Sequence, residues 1–487
     1  MTTAVAPSTT LSTGRTLFIA GRWQGAEETY ERLDPADLRT PTGTYALATA
    51  DHVRAAYDAA AAAQPAWGRT PAPERAEVLR RAGDLLEARQ EEATRRLTAD
   101  MGKAARDARA EVRRSIAILR YFAGELLAPM GEAYPSAAPD TTLLTLEEPL
   151  GIVLAVTPWN FPFAIPTWKL APALGFGNSV VLKPAEPASG SAVLLTEILS
   201  EAGLPDGVLN LVTGRGRDLS SSLTGDPRLS ALTFTGSGGV GSALRAAVAD
   251  RNVKVQLELG GKNPAIVLAD ADLEDAAVQV VRGAMLATGQ RCTATSRVYV
   301  ERSVARRFVE LVRRCTEELV VGDPADERTD VGPLASREQL ETVAGYLQRA
   351  RDEGAEAIVE GAPTGVGCFV TPTVLTGVDP ESPLMREEIF GPVLVVAEVG
   401  GFEEALAAAN DTPFGLSSAV FTRDLATAMT FVRRTQSGLV HVNRETAGVE
   451  PHVPFGGVKA SSNMQREQGK AARAFFTTTK TVYLRTT

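Results

Sequence analysis

Two residues of the chain have side chains and surroundings suited to covalent catalysis. Cys292 lies in the segment TGQRCTAT at 288–295, and Glu258 begins the segment ELGGKNP at 258–264. A thiol in a glycine-bearing turn can act as a nucleophile, and a glutamate among glycines can act as a general base that the backbone does not crowd. The pair therefore predicts covalent catalysis assisted by a base.

The remaining cysteines and the histidines disfavour a disulfide framework and a metal site. Cys315 and Cys368 are expected to be inert, small hydrophobic side chains. Three cysteines and three histidines at these spacings form neither a disulfide framework nor a zinc pattern, so we expect no metal and a reducing, cytoplasmic location. A Cys–His protease dyad would need folding to bring His441 or His452 to Cys292, and the alternating residues around His441 favour a strand.

Length and charge narrow the class further. At roughly 150 residues per domain, 487 residues predict two or three domains. A net charge of −9 disfavours nucleic acid and anionic membranes as partners. Met1–Arg15 lacks the apolar stretch of a secretory signal and is expected to be a loose tail. Pro149–Trp168 is uncharged, but its prolines favour a buried strand followed by a loop over a membrane span.

The order of elements predicts an α/β protein. Residues 50–130 have the spacing of solvated amphipathic helices, whose arginines we do not expect to form a binding site by themselves. From residue 151, apolar strands alternate with helices, which is typical of parallel, doubly wound sheets. Strands are expected at 151–157, 179–183, 208–212, 229–234, 253–257, 265–269 and 298–301, with helices at 188–202, 217–223, after Gly238, and at 273–287 and 303–320.

We therefore expect two Rossmann-like domains and a small β-ribbon that mediates oligomerisation. The dinucleotide-binding domain would comprise 1–128 and 149–258, and the catalytic domain 259–461. The ribbon and C-terminal tail would comprise 129–148 and 462–487. The segment FFTTTKTVYL at 475–484 is expected to be a strand that pairs with the 141–148 ribbon of another subunit, in a homodimer or homotetramer.

Three motifs follow strands of the first domain, where doubly wound sheets bind ligands. In PWNFP at 158–162, the Asn160 amide is either an oxyanion donor or a turn residue. In KPAE at 183–186, Lys183 and Glu186 either reach ribose hydroxyls or form a surface ion pair. In FTGSGGVG at 234–241, backbone amides at the start of a helix can face a pyrophosphate.

These motifs, in this order, resemble the NAD(P)-dependent aldehyde dehydrogenase superfamily. EEIFGP at 387–392 and PFGG at 454–457 extend the resemblance, which runs from about Phe18 to Leu484. The segments GQRCTATSR at 289–297 and TAGVEPHVPF at 446–455 are most similar to α-ketoglutarate semialdehyde (2,5-dioxopentanoate) dehydrogenases. The resemblance implies that an aldehyde is oxidised to a carboxylic acid with NAD or NADP through a cysteine thioester.

The resemblance also implies a role for individual residues. Cys292 would be the nucleophile, Glu258 the base that activates water, and Asn160 the oxyanion donor together with the Cys292 backbone amide. Lys169 and Glu467 resemble a proton relay. The presence of Glu258 argues against the coenzyme A-acylating branch. The cofactor would contact Thr157, Trp159, Lys183, Glu186, Gly216, Phe234, Gly236, Ser237, Val240, Glu388 and Phe390.

Cofactor and substrate choice stay open at this point. Glu186 favours NAD, whereas the semialdehyde branch often takes NADP. Residues matched to the aldehyde tunnel give it an apolar wall: Phe161, Ile165, Trp168 and Phe455. Succinate-semialdehyde enzymes commonly carry arginine at the position of Trp168.

Arg291 or Arg444 would hold a substrate carboxylate, unless both are solvated or structural. The alternatives are a dehydrogenase of broad aliphatic and aromatic aldehydes, a cysteine-dependent esterase or acyltransferase, and an inactive binding homologue.

Overall fold

The computed structural model describes residues 14–485, so the expected loose tail at 1–15 lies almost entirely outside the described residues. The strands are β1 Leu17–Ile19, β2 Arg22–Gln24, β3 Thr29–Asp34, β4 Asp37–Ala46, β5 Ala133–Tyr134, β6 Thr141–Pro149, β7 Ile152–Thr157, β8 Ser179–Pro184, β9 Leu209–Leu211, β10 Leu229–Thr235, β11 Lys254–Glu258, β12 Asn263–Val267, β13 Thr295–Glu301, β14 Glu356–Val359, β15 Pro363–Thr364, β16 Phe369–Val370, β17 Thr373–Thr376, β18 Val393–Val399, β19 Ser417–Phe421, β20 Leu439–Val442 and β21 Thr477–Arg485.

The helices connect these strands and cover their faces. They are α1 Ala50–Arg69, α2 Ala72–Ala88, α3 Gln90–Met101, α4 Ala105–Glu125, α5 Ala164–Gly175, α6 Ser189–Glu201, α7 Gly216–Gly225, α8 Gly238–Ala246, α9 Leu273–Met285, α10 Arg302–Glu317, α11 Arg337–Asp352, α12 Pro383–Arg386, α13 Phe402–Asn410, α14 Leu425–Arg434 and α15 Gly469–Phe476. Within residues 14–485, no helix is long and apolar enough to cross a membrane.

The first sheet has seven strands in the order β11-β10-β7-β8-β9-β1-β2. Its strands β11 to β9 are parallel, and β1 and β2 are antiparallel additions at one edge. Val153 and Leu154 point to opposite faces of β7 and both are fully buried, because helices cover both faces. Since parallel strands end at the same edge, the loops after β7, β8, β10 and β11 converge there.

The second sheet also has seven strands, in the order β14-β17-β18-β13-β12-β19-β20. Six of them are parallel, and β14 pairs antiparallel with β17. Two separate apolar clusters lie on its two faces, one with α9 and α10 and the other with α11, α13 and α14. The predicted α/β class with two doubly wound sheets is confirmed, and His441 is a strand residue in β20 as expected.

The expectation for the terminal strand is wrong in two respects. Phe475 and Phe476 end helix α15, because both rings are buried in the core of the first sheet. The strand β21 then pairs antiparallel with β6 of its own chain over its full length, from Thr477 opposite Pro149 to Arg485 opposite Thr141. α15 contacts α5, and this returns the chain to its own ribbon.

Two further expectations need correction near the site. The uncharged segment 149–168 contains strand β7 and a loop, but helix α5 already begins at Ala164, since Pro166 is tolerated in a first helical turn. The helix expected at 273–287 ends at Met285, because Ala287 and Thr288 have left-handed backbone angles, with φ of 52° and 58°. The other predicted elements differ from the observed ones by a few residues at their ends.

Candidate active site

Cys292 follows a tight turn that connects α9 to β13. Ala287, Thr288 and Gly289 all have positive φ, and a Cβ at Gly289 would lie 2.2 Å from the carbonyl oxygen of Gly391. A left-handed threonine is a strained conformation that its surroundings must impose. Asp107 accepts a hydrogen bond from the Ala287 amide at 3.0 Å, and the Thr288 hydroxyl donates to the Gly332 carbonyl at 3.1 Å.

The backbone at Cys292 is held by the side chain of Asn263, at the start of β12. The Asn263 amide nitrogen donates to the carbonyls of Cys292 and Ala294, both at 2.8 Å. Burial, followed by the negative charges of Glu388 and Glu258, raises the pKa of the Cys292 thiol. The thiol of the free protein is therefore mostly protonated at neutral pH, and it needs either a base or a nearby positive charge to become a thiolate.

Glu258 is the last residue of β11 and its side chain is buried. Among the described residues, neither carboxylate oxygen has a hydrogen bond of good geometry, and the nearby Ser462 hydroxyl only partly offsets the rise in the pKa of Glu258. Burial, and next the negative charge of Glu467, raise the pKa of Glu258 well above its ordinary value. A Cβ at Gly456 would meet the Glu258 carboxylate at 2.6 Å, so glycine is required at this close approach.

Asn160 joins the loop after β7 to the loop that carries the cysteine. Its side-chain amide is buried and donates to the carbonyl of Gln290 at 3.1 Å. One N–H of the amide is thereby oriented next to Cys292, and the other is available to a second acceptor. The structure thus brings Asn160 to the loop that carries Cys292, at the carbonyl two residues before the cysteine.

Lys169 and Glu467 form a buried ion pair behind Glu258. The side chains are 1% and 2% exposed, and the Lys169 ammonium also donates to the Thr233 hydroxyl at 2.8 Å. Thr233 in turn donates to Gln256 at 2.8 Å. Because the charge of Glu467 acts on Glu258, the two predicted relay residues lie close enough to influence the predicted base.

A cavity of about 330 Å³ reaches Cys292. This volume suits a small ligand. One wall carries the four apolar residues expected from the sequence, and the rings of Trp168 and Phe455 lie 5.5 Å apart. Arg291 also lines the cavity, whereas Arg444 does not. None of the described residues that line it is a histidine, so neither His441 nor His452 forms a protease-like dyad there.

A second wall of the cavity comes from helix α4 and was missed in the sequence. Asp107, Ala110, Glu111 and Arg114 have the spacing of one helix face and all line the cavity, beside Lys103. Arg114 therefore lies at the wall of a cavity, whereas the sequence pattern indicated only solvated arginines at 50–130. These residues flank the apolar face of α4, so a helical projection of the sequence would have grouped them on one side of the helix.

Comparisons with known proteins agree with this arrangement. A model of the aldehyde dehydrogenase family matches residues 23–482. The chain is 42% identical to the alpha-ketoglutaric semialdehyde dehydrogenase of Bacillus subtilis, over 96% of this chain and 97% of that protein. It is 44% identical to the alpha-ketoglutarate semialdehyde dehydrogenase of Haloferax volcanii, over 96% and 98%.

A solved structure shows the same fold. The NAD-dependent aldehyde dehydrogenase of Sinorhizobium meliloti is 36% identical and superposes with a TM-score of 0.95, over 98% of this chain and 96% of that one. The chain belongs to the aldehyde dehydrogenase family. It is an enzyme that oxidises aldehydes with NAD or NADP.

Several of the residues predicted to bind this cofactor lie where the strands of the first sheet end. Thr157 pairs with Pro184, and the Lys183 ammonium is buried with the Pro184 carbonyl as its acceptor at 2.8 Å. A Cβ at Gly216 would lie 3.8 Å from that ammonium, which places the start of α7 beside it. Glu186 is partly exposed and 4.0 Å from Arg215, a residue that the sequence reasoning missed.

The glycine-rich turn between β10 and α8 carries further residues predicted to bind the cofactor. Phe234, near the end of β10, is buried. Ser237 and Val240, at the start of α8, are exposed. A Cβ at Gly238 or Gly239 would meet no atom within 4 Å. An open helix N-terminus with apolar Val240 beside it fits a nucleotide, because its backbone amides have space for a pyrophosphate.

Two further predicted cofactor residues, Glu388 and Phe390, lie in the segment just before β18 of the second sheet. The Glu388 carboxylate accepts from the Gly261 amide at 3.0 Å, and burial raises the pKa of Glu388 to about 7. The Phe390 ring packs edge-on against Trp159, with 5.4 Å between centroids. The contact between Trp159 and Phe390 joins the loop after β7 to the segment before β18, so the predicted cofactor residues of the two sheets meet at this point.

Proposed function

We propose that the enzyme oxidises a short aldehyde bearing a carboxylate, with 2,5-dioxopentanoate as the best substrate. The observation that carries this choice is the Arg114 guanidinium in the wall of the Cys292 cavity. Among the described residues, Arg114 has no hydrogen-bond or ion-pair partner, while Glu111 and Glu450 act on it at longer range. A planar guanidinium without a partner matches a carboxylate by two parallel hydrogen bonds.

Arg291 is the second cation of this wall, but it is already engaged. It lies 3.9 Å from Asp107 and 3.8 Å from Glu445. We assign it a supporting electrostatic role in binding the substrate carboxylate, and we assign the direct contact to Arg114. Two relatives named for alpha-ketoglutarate semialdehyde support the same substrate class.

Chemistry at the reacting carbon falls to three residues. The Cys292 thiol first releases its proton to water, a loss that the positive charge of a bound nicotinamide would favour. The thiolate sulfur then adds to the aldehyde carbon, and the side chain of Asn160 with the Cys292 backbone amide stabilises the oxyanion. A bound NAD or NADP supplies the acceptor for the hydride that leaves this carbon. Glu258 then takes a proton from water, the water oxygen attacks the thioester, and the carboxylic acid leaves as the C–S bond breaks.

The remaining predicted residues have supporting roles. The Glu467 carboxylate accepts the proton from Glu258, and the Lys169 ammonium stabilises the carboxylate that forms again when the proton passes on. The apolar wall of Phe161, Ile165, Trp168 and Phe455 packs against the carbon chain and excludes water.

Lys183 and Glu186 bind the adenosine ribose, and Arg215 provides a cation that can accommodate a 2′-phosphate, so the cleft admits both cofactors. The other cofactor contacts are Thr157, Trp159, Gly216, Phe234, Gly236, Ser237, Val240, Glu388 and Phe390.

The domains are assigned the roles expected from the sequence. Residues 1–128 and 149–258 bind the dinucleotide, 259–461 carry the cysteine, and 129–148 with 462–487 mediate association into a homodimer or homotetramer. Exposed apolar residues on the ribbon support the last assignment, among them Leu146, Tyr483 and Leu484. Three free cysteines support a cytoplasmic location.

The test is a panel of aldehydes assayed with NAD and with NADP. We expect kcat/KM to be highest for 2,5-dioxopentanoate, lower for succinate semialdehyde, and lower again for uncharged pentanal. Equal values for 2,5-dioxopentanoate and pentanal would instead support an enzyme of broad aldehyde specificity. Ester cleavage without any aldehyde oxidation would favour the esterase alternative.

A further inference from the structure

A buried ion pair lies beneath the loop that carries Asn160. The side chains of Lys103, just before α4, and Glu111, in its second turn, are each 1% exposed. A buried pair of this kind is weak evidence for stability, because desolvating two charges offsets much of their attraction. The role of the pair is therefore judged from the residues that Lys103 and Glu111 contact.

Both members of the pair bond to the loop after β7. The Lys103 ammonium donates to the backbone carbonyl of Asn160 at 2.8 Å, and it lies 3.8 Å from the centroid of the Phe161 ring. One Glu111 oxygen accepts from the amides of Phe163 and Ala164, at 2.9 and 3.1 Å. The pair thus fixes residues 160–164 at both ends, with charge-assisted hydrogen bonds.

We infer that Lys103 and Glu111 are positioning residues that orient the Asn160 amide toward the oxyanion formed at Cys292. This inference rests on the proposed role of Asn160. The peptide of Asn160 is held from α4, while its side chain is held by the Gln290 carbonyl from the cysteine loop. The direction of the amide is therefore determined by contacts from two separate segments of the chain.

The first experiment measures the burst of reduced nicotinamide with saturating cofactor and aldehyde. A misplacement of about 1 Å in a catalytic group can cost about 100-fold in rate. We expect Lys103→Met to lower the burst rate constant by roughly 10- to 100-fold and to leave the Kd of the cofactor unchanged. An unchanged burst rate constant would overturn the inference.

A double-mutant cycle with Asn160→Ala shows whether Lys103 acts through Asn160. In the Asn160→Ala background there is no amide to position, so Lys103→Met should lower the burst rate constant by less than about threefold further. Independent, multiplying losses would contradict the inference while leaving the proposed function intact. If the wild-type protein reduces no cofactor with any aldehyde, the proposed function fails, and the inference fails with it.

A third comparison separates positioning from folding stability. Lys103→Met leaves Glu111 as an uncompensated buried charge, and the double variant Lys103→Met/Glu111→Gln removes that charge while keeping an acceptor for the two amides. We expect the double variant to regain Tm but to keep the slow burst, since the bond to the Asn160 carbonyl is still missing. Recovery of the burst together with Tm would show that the pair is only structural.

The matched control is the buried pair Arg96–Asp100 in α3, whose side chains are 12% and 2% exposed and do not line the cavity. Asp100→Asn should lower Tm without changing the burst rate constant. A burst that slows in this control as much as in Lys103→Met would mean that any loss of stability impairs the reaction. That result would also overturn the inference.

Discussion

The reactive centre, Cys292 with Glu258, differs from the cavity wall on α4 in how its ionisable groups are partnered. At the centre, burial raises the pKa of both Glu258 and the Cys292 thiol, so the carboxyl is more basic than an ordinary glutamate and the thiol must lose its proton before it can react. On the wall, Lys103 and Arg291 already have carboxylate partners, and Arg114 has none. We therefore propose that the centre determines the reaction for any aldehyde and that the wall determines which aldehyde is chosen.

Removing the thiol tests the centre most severely. Cys292→Ala should lower aldehyde oxidation by at least about 10⁴-fold for charged and uncharged aldehydes alike, as expected when a nucleophile is lost. Cofactor binding should be retained. Cys315→Ala, at a half-buried cysteine of α10, is the control and should keep full activity. Substantial oxidation by Cys292→Ala would exclude a cysteine nucleophile.

Loss of the base should separate the two half-reactions. Glu258→Gln is expected to give a burst of one reduced cofactor per active site and then a steady rate lowered by about 10²- to 10⁴-fold, the usual contribution of a general base. Stopped-flow absorbance measures both phases. Glu197→Gln, a carboxyl on α6 whose pKa burial also raises, should behave as the wild type. A normal steady rate in Glu258→Gln would assign the base elsewhere.

The raised pKa of Glu258 has a consequence for pH dependence. Only the carboxylate can take a proton from water, and burial favours the protonated acid. The hydrolytic rate should therefore rise with pH through a midpoint above the ordinary glutamate pKa of about 4.3. Glu258→Gln should abolish this rise. A midpoint at or below that ordinary value would contradict the effect of burial.

A substitution on the wall should change substrate choice and leave the reaction intact. Hydrogen bonds to charged groups contribute about 1.5–3 kcal/mol. Arg114→Leu is therefore expected to lower kcat/KM for 2,5-dioxopentanoate by roughly 10- to 100-fold and to leave that for pentanal within about twofold. Arg113→Leu, the exposed neighbour on the same helix, is the control. Equal losses for both aldehydes would refute the assignment.

The smallest expected effect concerns the cofactor cleft. Arg215→Ala should raise KM for NADP by roughly tenfold and leave KM for NAD nearly unchanged, because only NADP has a 2′-phosphate for this cation. Arg217→Ala, at an exposed arginine paired with Asp218 at 3.6 Å, is the matched control. If both cofactors are affected equally, Arg215 supports the structure of the cleft without selecting between them.

The sequence indicated the centre better than the wall for a physical reason. Glu258, Asn160 and Lys183 each lie at or just after a parallel strand, and such strand ends meet at one edge of a sheet whatever the connecting helices do. The second-sheet position of Cys292 and the α/β class also followed from strand–helix alternation.

Arg114, Lys103 and Arg215 could not be assigned from local patterns alone. Arginines are abundant on solvated helices, and which of them turns inward depends on how α4 packs against α5 and the turn before Cys292. The partner of β21 was missed because pairing between distant strands is set by the returning helix α15. A helical projection of α4 would have grouped Asp107, Glu111 and Arg114 on one face, but only the packing of α4 shows that this face lines a cavity.

The most direct test of the account is to trap the enzyme between its two half-reactions. Glu258→Gln would be mixed with cofactor and 2,5-dioxopentanoate, quenched in acid after the burst, digested and analysed by mass spectrometry. The account predicts an acyl group on the peptide that contains Cys292, at close to one per active site, and none when Cys292 is also replaced by alanine. A full burst with an unmodified Cys292 peptide would contradict the thioester and the central role of this cysteine.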